Sequence, residues 1–257
     1  MTAFDERAAI DRFWEARRSG EYFPADWRDR LDFEQAYRVQ LGVVARRVAE
    51  GERQVGWKVA QTSEGTRRQF GFAEPIFGCL MQEGLRRSGH AYGRDELIRS
   101  GCEPEVCVRL GAPLAAGADA AAARRAIDAL HPAFEIIEVR GDIAAQKGLA
   151  IADNVAQKGV VLGDPVPLAA GLDLAAMGCR VLMNGEEAGR GRGAEVLGDP
   201  LNAVLWLAGK LAGFGLGLRA GDLIMTGSIT RMFPLAPGDR ARAEFDGLGA
   251  VEVGIAA

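Results

Sequence analysis

Histidine, cysteine and lysine are scarce in this 257-residue chain. The two histidines, His90 and His131, are too few for a three-histidine metal site or a zinc-binding helix with paired histidines, so any metal must be held mainly by carboxylates. The four cysteines show no C-x-x-C spacing, and a chain of this length does not depend on disulfides, which predicts reduced, packed thiols. Only four lysines stand against 27 arginines, so each lysine position is informative.

The chain also lacks a net positive charge and a long apolar run. The formal net charge of −4 leaves no electrostatic footprint for a nucleic acid or an anionic membrane surface. The longest apolar stretch, Leu201 to Leu218, is interrupted by Lys210 and several glycines and is too polar to span a bilayer. Residues 1–18 contain no apolar region of the secretory type. We therefore expect a cytoplasmic protein with small molecules or protein subunits as partners, and with neither nucleic acid nor membrane.

Three segments carry clear helix signals. Asp32, with Gln35 three positions later, forms a capping-box pattern, and apolar residues then recur at helical spacing until Gly51. An alanine-rich segment predicts a second helix from about Asp119 to Leu130. The third helix is predicted to begin at the Asp199–Pro200 pair and to end at the glycines that follow residue 212.

Elsewhere the apolar period changes to two, which is typical of strands. Irregular alternation of strands and helices favours an α+β fold with a mixed, mostly antiparallel core over a parallel α/β sheet. No linker or repeat divides the chain, so we expect one domain over residues 1–257 whose helical portion, residues 1–52, packs on the β core. The predicted strands are Glu105–Leu110, Ala133–Arg140, Val160–Leu162, Cys179–Met183, Leu223–Thr226 and Ala241–Val253, with a hairpin turn at Asn184–Gly185.

Three glutamates are the strongest candidates for a functional site. On an extended segment Glu103 and Glu105 share one face, and such a like-charged pair is unfavourable unless a cation or proton lies between them. Alone, this pair is more typical of a solvated strand end. Glu135 shares a face with apolar neighbours, where an unpaired carboxylate is costly. The three together would form an all-oxygen site suited to Mg²⁺ or Mn²⁺. The alternative is that Glu135 pairs with one of the arginines.

Lys58 lies between two apolar residues in a chain that otherwise uses arginine. A buried lysine can take part in proton transfer, which arginine cannot readily do, whereas a surface lysine is the alternative interpretation. Polar clusters at Asp153–Asn154 and at residues 227–230 follow apolar segments. Sites are often built at such strand ends, and ordinary turns also occur there.

Seven segments, in order along the chain, resemble the 2-keto-4-pentenoate hydratase and 4-oxalocrotonate decarboxylase family of the fumarylacetoacetate hydrolase superfamily. The resemblance runs from about Gln40 to the C-terminus. It implies a β-roll core with N-terminal and flanking helices, bound Mg²⁺ or Mn²⁺, and a homo-oligomer. The segments are residues 56–63, 74–78, 103–105, 134–140, 152–154, 199–207 and 221–228.

The resemblance also implies roles for individual side chains. Its substrate would be a small 2-hydroxy-dienoic acid or its 2-oxo tautomer, whose carboxylate and 2-oxygen chelate the metal. The metal ligands would be Glu103, Glu105 and Glu135. The catalytic residues would be Lys58, Asp153 and Ser228. The substrate would be bound by Gln40, Ser63, Asn154 and Thr230.

Two departures from the family pattern bear on the reaction. Hydratases of the family usually have an aspartate where this chain has Ile76, and decarboxylases more often have an apolar residue there. Hydratases also tend to have a small hydroxyl residue where Val155 follows the Asp-Asn pair. We expect a lyase that adds water to a 2-hydroxy-2,4-dienoate to give a 4-hydroxy-2-oxo acid, as in meta-cleavage aromatic catabolism. A 4-oxalocrotonate-type decarboxylase is the alternative. A non-catalytic assembly partner of such an enzyme is a third hypothesis. Under all three hypotheses the chain could associate with a partner hydratase or decarboxylase.

Overall fold

The computed structural model describes residues 4–169 and 171–257. Its α-helices are α1 (Glu6–Ser19), α2 (Phe33–Ala49), α3 (Glu64–Phe70), α4 (Ala120–Ala126), α5 (Lys147–Ala152) and α6 (Pro200–Ala212). Short 3₁₀ turns lie at Ala25–Trp27, Gln82–Gly84 and Gly193–Glu195. The strands are β1 (Gln54–Ala60), β2 (Ile76–Met81), β3 (Leu85–Arg87), β4 (His90–Tyr92), β5 (Ser100–Leu110), β6 (Ile127–Glu138), β7 (Gln157–Leu162), β8 (Gly178–Met183), β9 (Glu186–Arg192), β10 (Leu223–Ser228), β11 (Phe233–Pro234), β12 (Arg240–Phe245) and β13 (Gly249–Ile255).

The strands form two mixed sheets. The first has the order β2-β1-β10-β5-β6-β7-β3, with β11 added beside β5, and the second has the order β4-β13-β12-β8-β9. The pairs β1–β10, β3–β7 and β4–β13 are parallel, and the remaining pairs in the described ranges are antiparallel. This arrangement confirms the predicted α+β fold with a mixed, mostly antiparallel β-roll core.

The two faces of the first sheet bury different side chains because successive residues of a strand point to opposite sides. One face of β5 and β6 presents Val106, Val108, Phe134 and Ile136 to the main core, which also contains residues of the second sheet such as Val251. The opposite face encloses a smaller apolar cluster inside the curved sheet, made of Leu80, Cys107, Ala133, Val160, Leu223 and Met225. The candidate glutamates and Lys58 lie on this inner face.

Helices close the outside of the sheet, and their ends follow the sequence signals. The capping box predicted at Asp32 and Gln35 is present at the start of α2. Asp199 caps α6, which has Pro200 in its first turn and ends before Gly213. The apolar side of α2 packs on β2 through stacked rings of Tyr37 and Phe77, whose centroids lie 4.2 Å apart.

Two sequence predictions are wrong in detail. The helix expected over Asp119–Leu130 ends at Ala126, because Ile127 and the residues after it pair with β5 as the first part of β6. Tertiary pairing outweighs the helix propensity of the alanines there. The single strand expected over Ala241–Val253 is a hairpin, in which β12 and β13 pair across a turn after Phe245.

Other expectations of the sequence hold in the described residues. The Asn184–Gly185 turn joins β8 to β9, with both residues in the left-handed conformation that this turn type requires. All four cysteines are buried free thiols. None of the described helices combines the length and apolar character that a membrane crossing requires. The single-domain organisation over residues 1–257 remains a prediction.

Candidate metal centre and active site

Two neighbouring strands bring the three glutamates together. Glu103 on β5 lies directly opposite Glu135 on β6, and Glu105 lies two residues further along the same face of β5. One carboxylate oxygen from each residue lies within 4.8 Å of the other two. Glu105 and Glu135 are buried, and Glu103 is partly exposed. The cluster therefore opens to the surface on the Glu103 side.

Burial makes negative charge costly in this cluster. It raises the pKa of Glu103 to about 7, with a further contribution from the charge of Glu135. Burial also raises the pKa of Glu105 well above its usual range, and the charges of Glu135 and Glu103 act in the same direction. The pKa of Glu135 is raised by burial and pulled back by Lys58. Three ionised carboxylates at this position need more positive charge than one lysine supplies.

The donor set fits a hard divalent cation. The Glu135 Oε1 atom is buried and lies near the charge of Lys58, but the lysine directs its hydrogen bond to Oε2, so Oε1 accepts no hydrogen bond from the described residues. An octahedral Mg²⁺ with bonds of about 2.1 Å places its ligand oxygens about 3 to 4 Å apart. The oxygens of the cluster, all within 4.8 Å of one another, need to move by only about 1 Å to reach such an arrangement.

Lys58 is the cation of the site. Its side chain on β1 is buried, its Nζ atom lies 3.2 Å from Glu135 Oε1, and it donates a hydrogen bond of 2.8 Å to the Val155 carbonyl. The surface-lysine interpretation is therefore wrong, and the buried partner of Glu135 is a lysine rather than an arginine. Opposite Lys58 on β2 is Gly78, where a Cβ atom would lie 3.3 Å from Lys58 Cε.

Strand β10 supplies the far wall of the cluster. The Gly227 N–H donates a hydrogen bond of 2.8 Å to Glu105 Oε2, and Gly227 has a φ of +114° that disfavours other residues. Ser228 lies opposite Glu105 in the register, but its hydroxyl donates to the Thr230 carbonyl. The Thr230 hydroxyl donates to its neighbour, the Arg231 carbonyl, beyond the end of the strand. The structure thus places Ser228 beside the cluster and Thr230 further along the chain.

The other expected site residues bond mainly to the protein framework. Gln40 is buried and donates to the carbonyls of Phe77 and Ile151. The Ser63 hydroxyl caps α3.

Asp153 and Asn154 lie in the turn after α5. The Asp153 carboxylate pairs with Arg140 at 3.1 Å, and burial raises the pKa of Asp153 to about 6. The Asn154 amide bonds the backbone of Cys79. These contacts fix the turn after α5 against Arg140 and β2, next to Lys58.

Sequence reasoning missed two backbone groups of the site. These groups are the Val155 carbonyl, which accepts a hydrogen bond from Lys58, and the Gly227 N–H, which donates one to Glu105. The side chains of valine and glycine have no reactive group that would mark these positions in the sequence. Sequence reasoning also missed Arg140, which lies among the many arginines of the chain. The glycine at position 227 offered a signal, because a glycine in the middle of a strand often marks a close backbone approach.

The fold and the site define a β-roll protein with a buried centre of three glutamates and a lysine. Residues 92–256 match the fumarylacetoacetate hydrolase C-terminal family. The chain is 32% identical to a 2-keto-4-pentenoate hydratase of Paraburkholderia xenovorans (strain LB400), over 98% of this chain and 95% of that protein. It is 34% identical to a 4-oxalocrotonate decarboxylase of Pseudomonas sp. (strain CF600), over 86% of this chain and 84% of that protein.

Solved structures agree with these sequence relatives. The 4-oxalocrotonate decarboxylase from Pseudomonas putida G7, determined with magnesium and adipate, superposes with a TM-score of 0.90 at 32% identity, covering 97% of each chain. The chain therefore belongs to the fumarylacetoacetate hydrolase family, in the group that contains 2-keto-4-pentenoate hydratases and 4-oxalocrotonate decarboxylases.

Proposed function

We propose that this chain is a divalent-metal-dependent lyase that adds water to a 2-hydroxy-2,4-dienoate and releases a 4-hydroxy-2-oxo acid, as in meta-cleavage aromatic catabolism. The observation that carries the proposal is the burial of Lys58 against Glu135 within the cluster of three glutamates. Relatives that align over nearly the whole chain are named as hydratases of this type, which supports the same reaction.

Glu103, Glu105 and Glu135 are the residues that would hold Mg²⁺ or Mn²⁺. When bound, such an ion polarises the 2-oxygen of a chelating substrate and stabilises negative charge there. The partial exposure of Glu103 gives the substrate carboxylate a route to this end of the cluster. The apolar cluster on the inner face of the sheet, which includes Val160 and Met225, lies on the opposite side of the glutamates from Glu103 and would exclude water there.

Lys58 is the group that would move a proton in this site. Its Nζ atom is fixed by the Val155 carbonyl and Glu135, so the remaining N–H direction is available to the substrate. Hydration of the dienol forms C–H bonds at C5 and C3 and a C–O bond at C4. Water supplies the hydroxyl at C4 and one proton, and the 2-hydroxyl group supplies the other proton as it becomes the 2-oxo group. A lysine ammonium can deliver and recover such protons, whereas an arginine at this position could not.

Decarboxylation is the second candidate reaction, and Ile76 is the observation that favours it. Ile76 is buried opposite Ala60, two positions from the Gly78–Lys58 pair and on the same face of the strands. Ile76 is apolar, so this position offers no acid to direct water. A 2-oxo-hex-3-enedioate would lose its C6 carboxyl group as CO₂, with the electrons of the broken bond delocalised toward the 2-oxygen.

Assembly is a further part of the proposal. We infer that the chain forms a homo-oligomer and that it associates with a partner hydratase or decarboxylase. A non-catalytic role in such an assembly is the competing hypothesis. The buried charges at the glutamate cluster argue against that role, because a purely structural subunit gains nothing from three carboxylates whose ionisation is unfavourable.

The test is turnover of 2-hydroxypenta-2,4-dienoate by the purified chain, with Mg²⁺ or with EDTA, followed by loss of dienol absorbance and product identification. Metal-dependent formation of 4-hydroxy-2-oxopentanoate is the expected result. Glu105→Gln should abolish turnover without unfolding the protein, while the exposed control Glu186→Gln should retain it. Release of CO₂ from 2-oxo-hex-3-enedioate would select the decarboxylase instead. Absence of both reactions in the metal-loaded protein would overturn the catalytic proposal.

A further inference from the structure

The turn between α5 and β7 has a strained backbone. Three consecutive residues that are not glycine, Asn154, Val155 and Ala156, have φ values of 60°, 54° and 59°. The left-handed conformation is unfavourable for residues with a Cβ atom, and most of all for a β-branched residue such as valine. Such strain persists only where surrounding contacts hold it, and it concentrates at functional sites.

The strained turn points a carbonyl at the lysine of the candidate site. Lys58 Nζ donates its 2.8 Å hydrogen bond to the backbone oxygen of Val155, the middle residue of the run. The Val155 side chain is itself buried in the main core. The position of this acceptor therefore depends on the backbone conformation of the turn.

Asn154 fastens the turn to the strand beside Lys58. Its Oδ1 atom accepts a hydrogen bond of 2.7 Å from Cys79 N, and its Nδ2 atom donates one of 2.9 Å to the Cys79 carbonyl. Both polar backbone groups of one strand residue are thus bound by one amide. Cys79 adjoins Gly78, which pairs with Lys58 across β1 and β2 and has no side chain to separate Asn154 from the lysine.

Arg140 holds the residues on either side of the left-handed run, because it pairs with Asp153 and its Nη2 atom donates a hydrogen bond of 3.0 Å to the Gln157 carbonyl. The Asp153 carboxylate pairs with Arg140 Nη1 at 3.1 Å, and Arg140 also pairs with the buried Glu138 at the end of β6. The Arg140 guanidinium lies over the ring of Tyr22, 4.5 Å from its centroid. Strand β6 carries Glu135, so the turn is anchored to β2, which neighbours the strand of Lys58, and through Arg140 and Glu138 to the end of the strand of Glu135.

We propose that Asn154 is a positioning residue, which sets the Val155 carbonyl and through it the direction of the Lys58 ammonium. This inference rests on the proton-transfer role proposed for Lys58, and it replaces the expected substrate-binding role of Asn154 with an indirect one. Asn154 acts by clamping the turn to β2, and it does not need to contact substrate.

The kinetic test uses Asn154→Gly, which accepts the left-handed conformation readily but lacks the amide. We expect kcat to fall about 10- to 100-fold, the usual loss when a supporting hydrogen bond of a reactive group is removed. KM and Mn²⁺ affinity should stay near the wild-type values. Asn154→Asp keeps an oxygen that can accept the hydrogen bond from Cys79 N, so its kcat should lie between those of wild type and Asn154→Gly.

The matched control is Asn184→Gly. Asn184 is also left-handed, with a φ of 54°, and its amide also binds the chain, through Arg240 N and Asp239. It lies in the β8–β9 turn, away from the glutamates, so loss of stability there should leave kcat unchanged. A wild-type kcat in Asn154→Gly, or a fall in Mn²⁺ affinity in parallel with kcat, would overturn the proposal.

A second measurement does not depend on the reaction. The chain has only four lysines, so selective ¹³Cε-lysine labelling gives an NMR spectrum with few signals, in which Lys58 is assigned through Lys58→Arg. The Lys58 signal should move in Asn154→Gly and remain in place in Asn184→Gly. An unmoved signal would refute the positioning role even if the protein is an active lyase. A moved signal would support that role even if neither proposed substrate is consumed.

Discussion

The metal-free protein is expected to lose stability as the pH rises from about 4.5 to about 7. Burial, and then the charge of Glu135, raises the pKa of Glu103 from 4.5 to about 7. Within this window the folded state keeps a proton that the unfolded state has released. Folding therefore takes up a proton, and each increase in pH favours unfolding. Glu105, whose pKa burial also raises, acts in the same direction.

The size of the loss follows from the shift. A difference of about 2.5 pKa units at Glu103 corresponds to about 3 kcal/mol of stability lost by pH 7.5. For a protein of this size, that is a fall in Tm of about 6 to 12 °C. Saturating Mg²⁺ should remove most of the loss, because the cation compensates the ionised carboxylates and binds only the folded state.

Surface carboxylates do not obscure this effect. The pKa of Glu187, for example, is lowered by its hydrogen bond to Arg190, so the stability it contributes is lost only as the pH falls below about 4.5. The buried Asp153, whose pKa burial raises from 3.8 to about 6, adds a loss of stability between about pH 4 and 6, which overlaps the lower part of this window. A variant at Glu103 is needed to separate the two contributions.

The assay is thermal unfolding from pH 5 to 7.5, with EDTA or with excess Mg²⁺, for wild type, Glu103→Gln and the exposed control Glu186→Gln. Metal-free Glu103→Gln should be more stable than metal-free wild type at pH 7.5 and should gain less from Mg²⁺. The control should follow wild type. A wild-type Tm that stays level or rises with pH in EDTA, together with a Glu103→Gln curve identical to wild type, would refute the reasoning.

Three further predictions concern Lys58, Gly227 and the four cysteines. Lys58→Met should lower kcat by about 10²- to 10⁴-fold, the usual contribution of a general acid or base, while Lys147→Met on α5 should not change it in the same steady-state assay. Gly227→Ala should cost about 2 kcal/mol or more in denaturant unfolding and weaken Mg²⁺ binding measured by calorimetry, because its Cβ would overlap Thr62 and its N–H holds Glu105; Gly217→Ala, which has open space, should do neither. The four buried thiols should not react with a thiol reagent until the protein is denatured; burial raises the pKa of Cys79 and Cys179 to about 12.

The carboxylate cluster could be predicted because its signal is local. Alternation along a strand places Glu103 and Glu105 on one face, and an acidic residue among apolar neighbours marks Glu135. The direct register between Glu103 and Glu135 depends on the pairing of β5 with β6, which residue spacing within one segment does not contain. The rarity of lysine singles out Lys58, but its burial depends on long-range contacts with Glu135 and the Val155 carbonyl.

Other features depend on long-range contacts. In the left-handed run at Asn154–Ala156 only Asn154 is a turn-favouring residue, and no local signal marks Val155 and Ala156 as left-handed. Contacts with Cys79 and Arg140, from other parts of the chain, maintain the conformation. The alanine-rich segment before β6 shows the opposite case, in which a strong local signal was cut short by strand pairing. The caps at Asp32 and Asp199, by contrast, involve residues two or three positions apart, and both predictions are confirmed.

The parallel pairing of β1 with β10 has a consequence for how the protein folds. Gly56 pairs with Leu223, so the lysine-bearing strand, which has β2 as a nearby partner, gains its second neighbour only after most of the chain has been synthesised. Contacts between such distant parts of a chain form slowly, because loop closure has a large entropic cost. Strand β10 also supplies the Gly227 N–H that binds Glu105. Recovery of metal binding during refolding should therefore follow the slowest folding phase, and a chain that ends before residue 223 should not regain it.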